Sequence, residues 1–152
     1  MKEVVVVTDS SCDLPKEILE QYPIKVMTMP VSVKDNPNMD ISNLTLKEFY
    51  DAMRRGEILP TTSQVVVSAF MQCFEECRNN GQIPIVLGLS SKLTGSFDSA
   101  LLAKENLQFE EAVIFDTKCA SLGLGMVVLK AAKMAKEGKD IQEIAEEAKH
   151  YA

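Results

Sequence analysis

Residues 3–13 read Glu-Val-Val-Val-Val-Thr-Asp-Ser-Ser-Cys-Asp, a four-valine run that stops abruptly in small hydroxyl and carboxylate residues. A continuous β-branched run, with no polar alternation, fits a strand covered on both faces, as in a parallel sheet between helices. The pattern recurs twice. Ile83 to Leu87 leads into Gly88-Leu89-Ser90-Ser91-Lys92-Leu93-Thr94-Gly95-Ser96, and Ala112 to Phe115 leads into Asp116-Thr117. Longer segments of helical period separate these runs, so the expected fold is α/β: a parallel-sheet, three-layer domain with helices on both faces. A further extended piece, Ile24 to Val33, carries Pro30 inside it and is expected at a sheet edge or split in two.

The helices are signalled by their ends. Thr45 with Glu48 forms a capping box ahead of Leu46, Phe49, Tyr50 and Met53, and Gly56 is placed to stop that helix. Ser63 is expected to cap Val66 to Asn79, with Val66, Phe70, Cys73, Phe74 and Cys77 on one buried face and Gly81 following. Gly123-Leu124-Gly125 opens a helix through Lys136, its glycines allowing close helix–sheet packing. Asp140 with Glu143 opens a last helix, Ile141 to Tyr151, with Ile141, Ile144, Ala145 and Ala148 on its apolar side. No stop signal follows it, which reads as a chain that ends short of its full fold.

The 152 residues, 46% apolar, suffice for one cored domain without staples, and residues 1–152 are read as one. The net charge of −6 is spread along the chain instead of gathered in a basic block, which argues against nucleic acid as a partner. Cys12, Cys73, Cys77 and Cys119 fall at irregular spacings beside a single histidine, His150, so buried free thiols are expected and a four-ligand zinc site is not. No apolar run approaches the roughly 20 residues that span a bilayer, and the start lacks a secretory core, so a cytoplasmic protein is expected.

Each strong strand therefore opens into hydroxyl residues at what would be the carboxyl edge of the sheet, where open α/β folds bind ligands. Thr61, Thr62 and Ser63 make a fourth such cluster ahead of their own helix. Converging hydroxyls and helix starts would suit a carboxylate or phosphate, while each cluster alone would serve as a plain cap. Catalysis finds less support: no phosphate-binding glycine loop or nucleophile elbow occurs, and no histidine stands near a candidate serine. Asp9 and Asp116 both end strands, and as a pair they would suit a small metal-dependent phosphotransferase or hydrolase; equally, they would cap turns.

Taken in order, Val7-Thr8-Asp9-Ser10-Ser11-Cys12-Asp13-Leu14, Pro60-Thr61-Thr62-Ser63-Gln64, Leu89 to Ala100, and Phe115-Asp116-Thr117-Lys118 with Ser121-Leu122-Gly123-Leu124-Gly125 resemble the DegV family across the whole chain. The resemblance implies a bacterial fatty-acid-binding carrier, not itself an enzyme, that holds one long acyl chain in a tunnel and its carboxylate at a polar mouth. It implies a separate ATP-dependent fatty acid kinase as partner, feeding phospholipid synthesis, with transient membrane contact among its encounters. No catalytic residue, metal or cofactor is expected, only the bound long-chain fatty acid. By the resemblance the carboxylate contacts fall on Thr62 and Thr94, the latter a Thr where the family usually has Ser, with Gly95 and Ser96 adding helix-start N–H groups. Asp9, Ser10, Ser63, Ser90 and Ser91 are expected to support them.

This sequence departs from the family at two positions beside the proposed mouth. Val65 stands where Pro commonly follows Thr-Ser-Gln, and Lys92 replaces a frequent Gly. The family also carries a second, carboxy-terminal domain that contributes tunnel wall and basic and histidine headgroup contacts, roles that His150 does not take. A chain without that domain would need another cover for its acyl-facing surface, and a homodimer is one.

Overall fold

The computed structural model describes residues 2–34, 36, 39, 41 and 43–152. They form two compact units, Met1–Thr28 with Val65–Ala152, and Met29–Gln64.

The larger unit is built on a four-stranded, wholly parallel sheet of β1 (Glu3–Asp9), β2 (Ile24–Met27), β5 (Gln82–Gly88) and β6 (Val113–Asp116), ordered β2-β1-β5-β6. The valine run occupies a central position, and Val4, Val5, Val6 and Val7 are all buried. Alternation divides them between two layers. Val4 and Val6, with Ile85 and Leu87, pack against Leu124, Val127, Val128 and Ala131 of α5 (Ser121–Lys136) and Ile144 and Ala148 of α6 (Ile141–Tyr151). The opposite layer holds α3 (Val67–Asn79) and α4 (Ser96–Leu107), with Phe74 edge-on to Phe109 and tilted against Phe70. This is the expected three-layer α/β arrangement. A short α1 (Lys16–Leu19) connects β1 to β2, the edge strand.

The second unit pairs β3 (Val31–Val33) with β4 (Pro60–Thr62) in an antiparallel two-stranded sheet, Val31 opposite Thr62 and Val33 opposite Pro60. Its small core of Val33, Ala52 and Ile58 is joined by Ile41 and Phe49. The segment from Ile24 to Val33 is thus both an edge strand and a split one, divided ahead of Pro30. The strand at Pro60–Thr62 is a departure from the expected helix lead-in: Thr61 and Thr62 pair across a ladder in the second unit and are not a fourth cluster on the parallel sheet.

Helix ends follow local chemistry with two corrections. Thr45 Oγ1 accepts from Glu48 N–H and the Glu48 carboxylate accepts from Thr45 N–H at 2.9 Å, completing the capping box of α2 (Leu46–Arg54). Gly56 and Gly81, at φ 72° and 67°, end α2 and α3 as left-handed caps. Ser63 does not cap α3: its N–H donates to Pro30 O, and the N-cap is Val66, which is exposed and not on the buried face. On α2 the buried residue is Ala52, while Leu46, Tyr50 and Met53 are exposed. Asp140 caps α6 through Gln142 N–H, but Glu143 pairs with Lys139 instead of reaching back.

One of the two glycines opening α5 is required by packing, against a turn and not the sheet. A Cβ on Gly125 would lie 2.5 Å from the carbonyl oxygen of Cys12 in the 3₁₀ turn Ser10–Cys12, whereas one on Gly123 would meet nothing closer than 3.9 Å. Replacing Gly125 by Ala is expected to lower unfolding stability by about 1–3 kcal/mol, the usual range for overpacking a tight contact, read as a lower urea midpoint. Thr8 makes the opposite prediction. Its hydroxyl is buried without a hydrogen-bond partner among the described residues, so Thr8→Val should leave stability unchanged or raise it by up to about 1 kcal/mol. A clear loss in the same urea titration would show that the hydroxyl is satisfied.

Candidate functional site

Three strand ends, β1, β5 and β6, release their chains at one edge of the parallel sheet. Asp9, the last residue of β1, is buried, and its carboxylate organises the edge. Oδ1 accepts from the N–H and hydroxyl of Ser11, closing the 3₁₀ turn, and Oδ2 accepts from Leu89 N–H at 2.7 Å on the chain leaving β5. Gly88 makes that reach possible, since a Cβ there would lie 3.0 Å from Oδ2.

Asp116, the last residue of β6, does the same one strand over. It accepts from Ser91 N–H at 3.1 Å, Ser91 Oγ at 2.6 Å and Lys118 N–H at 3.1 Å. Partial burial pushes its carboxyl up, but these donors outweigh that and hold it below the ordinary Asp range. Both aspartates therefore cap turns. Burial pushes the Cys12 thiol up, with the Asp9 and Asp13 charges adding to it.

Around these clamps the hydroxyls of Ser90 and Thr117 are spent on backbone and that of Ser121 on a carboxylate. The buried Ser90 receives Lys92 N–H on its Oγ, while its own N–H donates to Cys119 O. Thr117 Oγ1 donates to Gly88 O at 2.8 Å, and Ser121 Oγ donates to Asp13 Oδ2 at 2.6 Å. Asp13, Lys118 and Ser121 hold left-handed φ values of 51°, 55° and 52°, a backbone cost concentrated at this one edge. Ser10 is exposed beside Asp9.

Thr94, Gly95 and Ser96 come together at the start of α4, with Gly95 as its N-cap. Thr94 Oγ1 lies 3.0 Å from Ser96 Oγ and accepts Ser96 N–H at 3.2 Å, so that N–H is not an open donor as expected from sequence. Ser96 Oγ also accepts Val65 N–H at 3.0 Å. Thr62 and Ser63 belong to the second unit, and Thr94 to Ser96 to the first. His150 is exposed in the last turn of α6.

Behind this hydroxyl pair the first unit contains a small apolar cavity, about 10 Å³ open to the centre of a water molecule. Phe70, Val86, Phe97 and Phe115 wall it, and Ser96 and Asp9 border it. A larger, open depression bordered by Lys2, Glu3, Gln21 and Lys139 lies at the opposite, amino end of the strands, and another lies between β2 and α3, bordered by Lys25, Met27, Gln72 and Glu76. The sequence pattern marked the hydroxyls of this edge and placed Phe70 on a buried helix face, but did not mark Phe70, Phe97 and Phe115 as a common wall; Phe97 follows a hydroxyl cluster directly and Phe115 stands at a strand end. Gly88 and the Val65 amide also went unmarked.

Comparison with known proteins agrees on one family. The model of the family described as "Uncharacterised protein, DegV family" matches residues 3–152. A DegV domain-containing protein of Clostridium acetobutylicum is 38% identical over 147 residues, covering 97% of this chain and 53% of the relative. Among solved structures, a fatty-acid-binding DegV family protein of Thermus thermophilus superposes with a TM-score of 0.83 at 30% identity, over 98% of this chain and 53% of that one. DegV of Bacillus subtilis, described as a fatty acid binding protein, gives 0.83 at 29%, over 99% and 54%. The chain thus spans about half the length of the relatives it matches.

The clamps predict distinct stability signatures. Asp9→Ala strands the Leu89 and Ser11 N–H groups and is expected to cost about 3 kcal/mol in urea unfolding at neutral pH. For Asp116, whose folded value is lowered, the contribution is present above the unfolded carboxyl range and lost as pH falls through the folded value. The stability gap between the protein and its Asp116→Asn variant should therefore be flat from about pH 5 to 7 and close below about pH 4. A gap that widens on acidification would reverse the assignment.

Proposed function

The chain belongs to the DegV family, and from that membership we propose that it binds a long-chain fatty acid, its carboxylate at the Thr94–Ser96 hydroxyl pair and its tail entering the first unit. The observation that carries this reading is the apolar wall of Phe70, Phe97 and Phe115 directly behind Ser96: a polar contact opens onto an aromatic-lined crevice. A carboxylate accepts hydroxyl and helix-start N–H bonds, and after Ser96, whose N–H is taken by Thr94 Oγ1, the next N–H groups of the first turn of α4 have no intrahelical partner. The tail supplies most of the affinity, about 0.8 kcal/mol per buried CH₂.

The cavity has room for a water and not for an acyl chain, so binding requires the aromatic side chains to turn aside. Thr62 enters the proposal by its place in the Thr-Ser-Gln motif, as a second carboxylate contact. Supporting roles fall to Asp9, Ser90 and Ser91, which hold the edge in shape through the bonds already described; Ser10 and Ser63 are carried on the motif alone. In this reading the chain is a carrier and not an enzyme, and phosphorylation of the carboxylate belongs to a separate kinase. Asp9 and Asp116 cap turns and carry no chemistry.

Native mass spectrometry of gently purified protein, followed by extraction, tests the proposal. A co-purifying fatty acid is expected at one per chain, or one per dimer. Thr94→Ala and Thr62→Ala should each weaken palmitate binding by about tenfold, the loss of one charge-assisted hydrogen bond. Removing each CH₂ from the ligand should weaken it about fourfold. Failure of palmitate to bind, or turnover of an acyl or phosphoryl substrate without a kinase, would overturn the carrier reading.

A further inference from the structure

Helix α3 and edge strand β2 bring three sulfur side chains to one place in the larger unit. Cys73 and Cys77 stand one turn apart on the buried face of α3, both free thiols, with 5% and 0% of their surfaces exposed. The Cys73 thiol is within hydrogen-bond reach of Cys77, and the ammonium of Lys25 on β2 acts on both. Lys25 is fixed against α3 by its ion pair with Glu76 at 2.9 Å. Alternation puts Met27 on the same face of β2 as Lys25. Helix α3 ends at Asn79, just before β5 begins at Gln82, so it runs against the parallel strands. Two residues of strand advance about 6.6 Å, the rise of about four helical residues, so the step from Lys25 to Met27 matches the step from Glu76 back to Gln72 and Cys73. Lys25, Met27 and Cys73 accordingly border one open depression of about 450 Å³.

We propose that the Cys73 and Cys77 thiolates and the Met27 thioether form a binding site for a soft monovalent metal ion, Cu(I). Both thiols lose their protons to solvent as the metal–thiolate bonds form, and no electron is transferred. Helix geometry favours a bridging ion over a disulfide. Cβ atoms four residues apart on a helix lie about 5–6 Å from each other, whereas a disulfide needs about 3.5–4.5 Å. An ion between the sulfurs spans the difference, with metal–thiolate bonds of about 2.3 Å. The ligand set selects the ion. Among the described residues no group of three or more His, Cys, Asp and Glu gathers that could hold a metal, so zinc lacks a tetrahedral set and calcium and magnesium lack their carboxylates. Thiolate and thioether sulfurs favour Cu(I). The depression gives the ion a path to Cys73, and Lys25 offsets the one negative charge that two thiolates and Cu(I) leave.

The experiment titrates the full chain, reduced and kept anaerobic, with Cu(I) against the chromophoric chelator bicinchoninate. The chain is expected to withdraw one ion from the chelator, to gain an ultraviolet sulfur-to-copper band, and to lose alkylation of Cys73 by iodoacetamide, mapped by peptide mass spectrometry. Cys73→Ala and Cys77→Ala, each checked for folding by circular dichroism, should lose the stoichiometric binding. Met27→Leu and Lys25→Gln should each weaken it about tenfold, the low end of what a supporting group around a metal contributes. Cys119→Ser, whose residue packs in the opposite layer with α5, should bind as the unsubstituted chain does. If neither alanine variant folds, Met27→Leu and the alkylation of Cys73 decide. No ion taken from the chelator, Cu(I) retained in full by a folded Cys73→Ala or Cys77→Ala, unchanged affinity in Met27→Leu, or displacement of Cu(I) by an equal concentration of Zn(II) would overturn the site.

Discussion

The carboxylate of Asp9 ties together the end of the valine strand, the 3₁₀ turn after it and the first residue beyond β5. A parallel sheet buries its strands on both faces, so every strand must end by turning sharply at the carboxyl edge, where freed backbone N–H groups need acceptors. Asp9 supplies them for two neighbouring strands from one buried side chain, and Asp116 repeats the device for β6 and the Ser91 turn. The turn from Gly88 to Gly95 is thereby held at two points, by Asp9 at Leu89 and by Asp116 at Ser91. The start of α4, where Thr94 and Ser96 meet, inherits its position from those two clamps.

Much of this architecture was legible in the sequence because it rests on local patterns. The unalternating run Val4 to Val7 required cover on both sides, and the switch to helical period between runs supplied it. Thr45 with Glu48 and the left-handed glycines 56 and 81 marked helix ends through contacts that span only a few residues. Pro30 divided an extended segment at the place where the chain leaves one sheet for another. In each case the deciding interaction lies within one turn or one strand of the residue that signals it.

What was not legible depends on partners distant in sequence. Pro60-Thr61-Thr62 looked like a lead-in to a helix because its hydroxyls resemble caps, and its ladder partner, Val31 to Val33, stands about thirty residues away. Leu46, Tyr50 and Met53 fall on an apolar stripe that a periodicity argument would bury, yet the small core of their unit is filled by Val33, Ala52 and Ile58. Gly125 was marked for close packing, but against which element was set by the path of the 3₁₀ turn. The hydroxyl residues were all visible as candidates; which were spent on backbone and which were left to face outward was a matter of burial.

That distinction governs what the edge can recognise. Hydroxyl side chains are ambidextrous, and a cluster of them left free to rotate would accept a donor as readily as it would offer one. Ser90 and Thr117 are committed to main-chain groups, and Ser91 to Asp116. Thr94 Oγ1 lies 3.0 Å from the buried Ser96 Oγ, which accepts the Val65 amide N–H. On the proposed carrier reading, the tail draws its affinity from the aromatic crevice without regard to the head, roughly in proportion to the methylenes covered. On that reading, the polar contact at the buried Ser96 and the aromatic wall beside it divide recognition of the head from affinity for the tail.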